Sequence, residues 1–288
     1  MTIKKLLKRI LLVIVTLVIL GLFYYELTQA SVRRIEIDVQ TRVFDNLPSA
    51  FDNKTLVFFS DVHFNKFMDA ERLMPFIETI NDLNPDIILF GGDLFDHPSV
   101  DYPSETTIET MTSMFKNLLA PLGKFAVYGN HDLESSLTKS LIANIYQESG
   151  FQLLVNESVK IYHEQFDSIT LVGLDSQLLG QPDIKQAFQD VDEQQLVITL
   201  SHTPDIVSEL TNTPTQWQLS GHSHGGQIAL PLIGPIYKVP FATQYPKSQT
   251  VETIILDVSN GIGTTRFDMR LFANPQIHHY TLRQTNND

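Results

Sequence analysis

Cysteine is absent from this 288-residue chain, which excludes disulfides, thiolate metal ligands and cysteine nucleophiles. Basic residues are scarce: 20 Lys and Arg stand against 33 Asp and Glu. An acidic balance argues against broad nucleic-acid binding, which relies on Lys and Arg neutralising phosphates. Tryptophan occurs once, at Trp217, and reads as a core residue rather than a substrate platform. The chain has no low-complexity tract, no internal repeat and no evident linker. With 43% hydrophobic residues it can bury one sizeable core.

What is present begins at the N-terminus. Lys4, Lys5, Lys8 and Arg9 precede an uncharged, mostly apolar run from Ile10 to Tyr25. As a helix this run is about 24 Å long, slightly short of a hydrocarbon core of roughly 30 Å. Leu6 and Leu7 extend it if Lys8 and Arg9 snorkel. The basic flank predicts a cytoplasmic N-terminus with the remainder outside. The competing expectation is a cleaved signal peptide ending at Thr28-Gln29-Ala30, which would leave a secreted protein. Residues 1–30 are thus expected to be an anchor or signal segment, and 31–288 one catalytic domain. The first 30 residues carry four basic side chains and one acid. The remainder therefore has 16 basic and 32 acidic residues, a formal charge of −16.

The body alternates strand and helix patterns. Leu56–Phe59 reads as a buried strand ending at Ser60-Asp61. Asp69 is a helix N-cap, and Leu73, Phe76, Ile77 and Ile80 share one face. Asp86–Phe90 is the next strand, which completes a βαβ unit. Ile108, Met111, Phe115 and Leu118 mark a second helix, Lys124–Tyr128 a third strand, and Glu134–Gln147 a third helix. Val155–Val172 is β-rich. Leu196–Leu200, Gln216–Leu219, Ile254–Val258 and His278–Leu282 read as further strands.

Five short clusters of potential metal ligands follow these strands. They are Asp61-Val-His63, Gly92-Asp93-Leu-Phe-Asp96, Gly129-Asn130-His131-Asp132, Ser201-His202-Thr203-Pro204-Asp205 and Gly221-His222-Ser223-His224. Ligands just past strand ends suit an α/β site. In extended backbone, residues two apart point the same way, so Asp-x-His and His-x-His can each aim two ligands into one cavity. Gly92, Gly129 and Gly221 each precede a ligand, where a missing Cβ allows a tight turn and close approach of phosphate.

Taken together, the clusters resemble the calcineurin-like metallophosphoesterase superfamily over roughly residues 51–282. The run Gly221-His-Ser-His-Gly-Gly-Gln227 followed by Ile-Ala-Leu-Pro is similar to its membrane-associated bacterial branch, which includes proteins similar to UDP-2,3-diacylglucosamine hydrolases. The resemblance implies an α/β fold of two packed mixed β-sheets flanked by helices, an αββα sandwich. It implies two divalent metal ions, with Asp93 as the bridging ligand. Asp61, His63 and His224 would complete one site, and Asn130, His202 and His222 the other. His131 would be the catalytic histidine and Asp132 its orienting carboxylate. Mixed Asp, Asn and His ligands favour Mn, Fe or Zn.

The implied activity is hydrolysis of a phosphodiester or pyrophosphate in an envelope-associated substrate, by attack of a hydroxide bridging the two metals. That substrate would be a phosphoester-containing small molecule or a lipid-linked compound. Alternatives are a phosphomonoesterase, including a phosphoprotein phosphatase, and a non-catalytic scaffold of the same fold. Outside the implied ligands, Asp96 is expected to hydrogen-bond its loop and Asp205 to sit in a first helical turn. His97 reads as a solvated loop residue, and His163, His278 and His279 as surface or packing residues. Asn65 and Lys66 read as ordinary loop residues with a lesser prospect of touching phosphate. The segment Leu230–Pro246, without helical or alternating period, reads either as packed on the core or as an apolar lip near the membrane.

Overall fold

The computed structural model describes residues 2–164 and 166–285. Helix α1 spans Ile3–Tyr25 and continues through a π-helical stretch, Glu26–Ala30, into a last turn, Ser31–Arg33. The chain then forms β1 (Glu36–Phe44), β2 (Thr55–Phe59), α2 (Ala70–Asp82), β3 (Ile87–Phe90), α3 (Glu105–Lys116) and β4 (Lys124–Ala126). It proceeds through α4 (Ser136–Glu148), β5 (Phe151–Leu153), β6 (Glu157–His163), β7 (Asp167–Gly173) and α5 (Ile184–Ala187). The last part comprises β8 (Val197–Leu200), α6 (Val207–Leu210), β9 (Trp217–Ser220), β10 (Ala229–Leu230), β11 (Gly234–Pro235), β12 (Gln249–Val251), β13 (Ile254–Val258) and β14 (Gln276–Gln284).

The three long helices of the body begin where polar side chains satisfy free backbone donors. Asp69 accepts the Arg72 N–H at 2.9 Å and starts α2. Ser104 accepts the Thr107 N–H and starts α3. Ser135 and Thr138 form a reciprocal capping box at the start of α4. In α2, Leu73, Phe76, Ile77 and Ile80 are buried, as their spacing predicts.

Two six-stranded mixed sheets result, ordered β1-β14-β2-β3-β4-β5 and β12-β13-β9-β8-β7-β6. Strands β2 to β5 are mutually parallel, with α2, α3 and α4 as the crossovers. Alternation along each strand divides the core into layers. Leu56 and Phe58 of β2 face the other sheet and join Ile169, Leu171, Ile198 and Leu219. Val57 and Phe59 face outward and pack under Phe76, Phe115 and Ile145 of the helices. The outer face of the second sheet is covered by α5, α6 and their loops through Ala187, Ile206 and Leu210. This is the αββα sandwich. Trp217 is fully buried between the sheets. Its indole N–H donates to Asp257 at 2.8 Å, and Asp257 also accepts two N–H groups of Arg42 on β1.

Strand β1 was not anticipated. Its apolar Ile37, Val39 and Val43 face solvent while Asp38 and Arg42 are partly buried, so its pattern runs opposite to that of an ordinary edge strand. Its pairing sets the geometry of the whole N-terminus. Glu36 lies beside Gln276 in parallel register with β14, and β14 runs antiparallel to β2 with His278 beside Phe58. The start of β1 therefore lies at the end of the sandwich where β2 finishes. Helix α1 enters at that end. It begins at Ile3, earlier than the apolar run suggested, and none of its residues is buried. Its 23 residues make about 34 Å of helix, enough for a hydrocarbon core of roughly 30 Å. The following turns dock on the body: the Arg72 guanidinium donates to the Val32 carbonyl at 2.7 Å, and the Arg270 N–H donates to the Leu27 carbonyl at 3.0 Å.

Candidate metal centre

Each ligand cluster lies just beyond the C-terminal end of a strand. Asp61 and His63 follow β2, Asp93 follows β3, Asn130 and His131 follow β4, His202 follows β8, and His222 and His224 follow β9. The paired motifs do not converge through extended backbone, as their spacing suggested. Asp61, His63, Asp93, His222 and His224 all have positive φ, between 46° and 63°. For residues with a Cβ this left-handed conformation costs about 1 kcal/mol or more each, and such strain gathers at functional sites. The glycines permit close packing of the loops. A Cβ on Gly129 would strike the Asp93 carboxylate, and one on Gly221 would strike that of Asp61. Those positions face protein atoms rather than space for phosphate.

The side chains meet in two clusters, Asp61–His63–His224 and Asp93–His202–His222. His63 Nε2 lies 3.1 Å from His224 Nε2. Asp61 Oδ1 is 3.4 Å from His224 Nε2 and 3.8 Å from His63 Nε2. His202 Nε2 is 3.2 Å from Asn130 Oδ1. Asp93 Oδ2 joins the clusters, 3.5 Å from His63 Nε2 and 3.2 Å from His202 Nε2. Asp61, His63 and His202 are completely buried.

Outer hydrogen bonds fix the tautomer of three imidazoles. His63 Nδ1 is 3.2 Å from Asp96 Oδ1, His202 Nδ1 is 2.7 Å from the Gly91 carbonyl, and His222 Nε2 is 2.7 Å from the Pro240 carbonyl. Each of these nitrogens donates, so in the neutral ring the other nitrogen presents a lone pair inward. Around His202 the inward atoms are then a lone-pair nitrogen, an amide oxygen and a carboxylate oxygen, three acceptors with no donor among them. A proton on His202 or a bound cation relieves that arrangement, and the donor set fits divalent ions.

Electrostatics lead to the same demand. Burial opposes charge on His63, yet the carboxylates of Asp61, Asp96 and Asp93 outweigh it and hold the imidazole up to about 10. Burial likewise opposes charge on His202, and Asp93 and Asp61 raise it to about 9. Burial, reinforced by His202, pushes His222 down to about 4. Burial also lowers His224, to about 3, with His63 adding to the effect. The carboxylates call for compensating positive charge in a dry site, which protons supply in the bare protein and divalent ions supply better.

Residues 54–226 match the family described as calcineurin-like phosphoesterase. The chain belongs to that family. Among its relatives is the uncharacterised metallophosphoesterase YkuE of Bacillus subtilis (strain 168), 35% identical over 83% of this chain and 82% of the relative. The phosphodiesterase YaeI of Escherichia coli (strain K12) is 32% identical over 65% of each chain. The UDP-2,3-diacylglucosamine pyrophosphatase LpxG of Chlamydia trachomatis serovar D (strain ATCC VR-885 / DSM 19411 / UW-3/Cx) is 29% identical over 66% of this chain and 70% of that one.

One expectation for this phosphoesterase is corrected by the structure. Asp132 does not orient the His131 ring. Its buried carboxylate accepts the backbone N–H groups of Asp93, Leu94 and Gly129 at 2.8–3.0 Å and so ties the β3 loop to the β4 loop. Burial, with the charge of Asp93, lifts Asp132 to about 6. The carboxylate beside His131 belongs to Glu134, with Oε1 2.8 Å from His131 Nδ1. Although burial works against the charge of Glu134, hydrogen bonds from His131 and Ser99 hold its carboxyl down to about 2. The signal was legible: in His131-Asp-Leu-Glu134 the two side chains are three apart on a helical turn, and such residues meet on one face. His131 also lies within ligand reach of His63 and Asp93, and its N–H donates to Asp93 Oδ1 at 2.8 Å.

Asp96 bonds its loop as expected, accepting from Asn65 at 2.8 Å, but it also backs His63. Asn65 spends its own carbonyl oxygen on the Phe67 and Met68 N–H groups, which leaves Lys66 exposed over the Phe67 ring. Asp205 does more than occupy a first turn. Its carboxylate accepts the N–H groups of Thr243, Gln244 and Tyr245, which fastens the loop whose Pro240 carbonyl meets His222. His97 is exposed and shares Glu134 with His131. His278 is buried against Asp38, and the His163 ring packs edge-on to Phe51.

Proposed function

We propose that this phosphoesterase is a membrane-anchored enzyme that hydrolyses a phosphodiester or pyrophosphate in an envelope-associated, lipid-linked substrate. The observation that carries the reading is the position of Asp93 Oδ2 between His63 and His202, 3.5 and 3.2 Å away. One carboxylate there can serve two cations at once. Bound divalent ions at such a site acidify water and neutralise phosphate charge. In this reading Asp61, His63, Asp93 and His224 would hold one ion, and Asp93, Asn130, His202 and His222 the other. Mn, Fe or Zn fits the mixed nitrogen and oxygen donors. His131, held by Glu134, delivers a proton to the leaving oxygen or steadies phosphoryl charge. Asp132 acts at a distance, by holding the Asp93 and Asn130 loops in register.

That LpxG is a pyrophosphatase and YaeI a phosphodiesterase supports the choice of bond. The basic flank of α1 supports a cytoplasmic N-terminus and an extracytoplasmic catalytic domain over residues 31–288. Hydrolysis by the full-length protein in detergent with Mn²⁺ tests the reaction. Bis(p-nitrophenyl) phosphate is expected to turn over faster than p-nitrophenyl phosphate, and chelator is expected to stop both. Preference for the monoester would reassign the protein as a phosphomonoesterase, and metal-loaded protein without turnover of either would favour a scaffold. A C-terminal reporter active only outside the cytoplasm checks the orientation.

A further inference from the structure

We propose that the turn tip around Leu232 and the exposed rings of Phe267 and Phe272 on the adjoining loop, all beside the metal centre, insert into the lipid bilayer and hold that face of the protein against the membrane. The inference rests on the reading of α1 as a membrane anchor. Leu232 and Ile233 cap the turn between β10 and β11 and are 108% and 76% exposed. Phe267 and Phe272 on the neighbouring loop are 66% and 65% exposed. Single exposed apolar residues are ordinary, but adjoining tips of large side chains mark an interaction surface.

The tips form one unit with the base of α1. The Ala229 N–H donates to the Leu271 carbonyl and the Leu271 N–H to the Gln227 carbonyl, each at 2.9 Å, so the turn and the loop move together. The loop is fastened in turn to the helix exit through Arg270 N–H and the Leu27 carbonyl. Arg72 adds a second tie, donating to Asp268 at 2.7 Å and to the Val32 carbonyl at 2.7 Å. Because β1 starts at the end of the sandwich that carries the ligands, α1, the tips and the metal clusters share one end of the molecule. A helix that spans the bilayer therefore brings this end to the lipid.

Charge agrees with that occupant. From Gly225 to Val251 the chain has no Asp or Glu, while Lys238 and Lys247 line the same hollow as Leu232 and Phe272. In a body of net charge −16, this segment presents no carboxylate of its own to repel anionic headgroups. A largely apolar groove of about 230 Å³ runs from Ile236, Tyr237 and Phe267 to His224, so the seated face opens toward the ligands.

The absence of cysteine makes a single introduced thiol a unique label site. Full-length Leu232→Cys and Phe267→Cys variants, each carrying an environment-sensitive fluorophore, are reconstituted into phosphatidylglycerol–phosphatidylcholine vesicles. Lipids with a doxyl quencher, shallow for the tips and deep in the acyl chain for Leu12, are then added. Both labels are expected to shift to the blue and lose most of their emission. Tyr162→Cys on β6, exposed and near the start of β7 at the opposite end, is expected to do neither. Leu12→Cys reports on α1 itself. Quenching at Leu12 with water-like behaviour at both tips overturns the docking and leaves the anchor intact. No quenching at Leu12 or the tips overturns the anchor and the docking together. A blue shift that follows protein density without lipid quenching assigns the face to a second copy of the chain, and equal quenching at Tyr162 shows non-specific adsorption; either result overturns the proposal. Turnover of the soluble diester by the Leu232→Cys variant, unchanged from wild type, verifies that it is folded.

Discussion

Asp93 is the residue on which both clusters depend. Its replacement by Asn keeps the shape and removes the charge that, in the proposed reading, would hold two cations together. Asp93→Asn is expected to lose diester hydrolysis and to hold fewer than two metals per chain by elemental analysis. An active variant with both metals bound would end the shared-carboxylate mechanism. His131 presents a sharper choice, because it lies near the ligands as well as near Glu134. His131→Ala is expected to lower kcat by about 10² or more while metal content stays near two. Loss of metal would instead make His131 a ligand. Glu134→Gln is expected to cost about tenfold in kcat, the lower range for residues that orient a functional imidazole. The candidate ligands were legible in the sequence because each cluster is local. The partner of His131 was misassigned because adjacency in sequence favoured Asp132, whereas one helical turn aims Glu134 at the ring.

At the scale of elements, the helices followed their signals closely. Caps at Asp69, Ser104 and Ser135 lie where polar side chains precede apolar periodicity. The capping box at Ser135 starts α4 directly after the turn that carries His131 and Glu134. Ser135→Ala is expected to cost about 1 kcal/mol and to lower Tm by about 2–4 °C, with metal content retained. A larger loss that included metal would show that the cap also supports the site. Strands were harder. β1 hides its role because its apolar residues face solvent and its charges face the protein. His222 and His224 were expected to reach the site from extended backbone, yet they enter separate clusters through left-handed turns that period-2 reasoning does not reach.

Across the whole molecule, the two sheets are tied by polar contacts as well as by the apolar core. Asp257, only 2% exposed, receives Arg42 from the facing sheet and the Trp217 indole. Asp257→Ala leaves a mostly buried guanidinium unpaired and is expected to destabilise the fold by about 3 kcal/mol, read as a shift of the denaturant midpoint. Replacement by Asn, which keeps an acceptor for the indole, is expected to cost less. An unchanged midpoint for the Ala variant would show that the apolar layer alone joins the sheets. The site depends on this union, since Asp61, His63, Asp93 and Asn130 follow strands of one sheet and His202, His222 and His224 follow strands of the other.

The sequence by itself determined the family and the class of fold. Ligand types, their order, the βαβ rhythm and the apolar N-terminal run are local properties, readable over a few residues. Tertiary structure alone decided which ligands meet, because His63 and His224 come from different sheets. It alone assigned Glu134 to His131 and Asp132 to the backbone, since hydrogen bonds depend on where side chains point in space. It also decided that α1 enters at the ligand end, through the register of β1 on β14. Such pairings join residues far apart along the chain, and no local pattern encodes them.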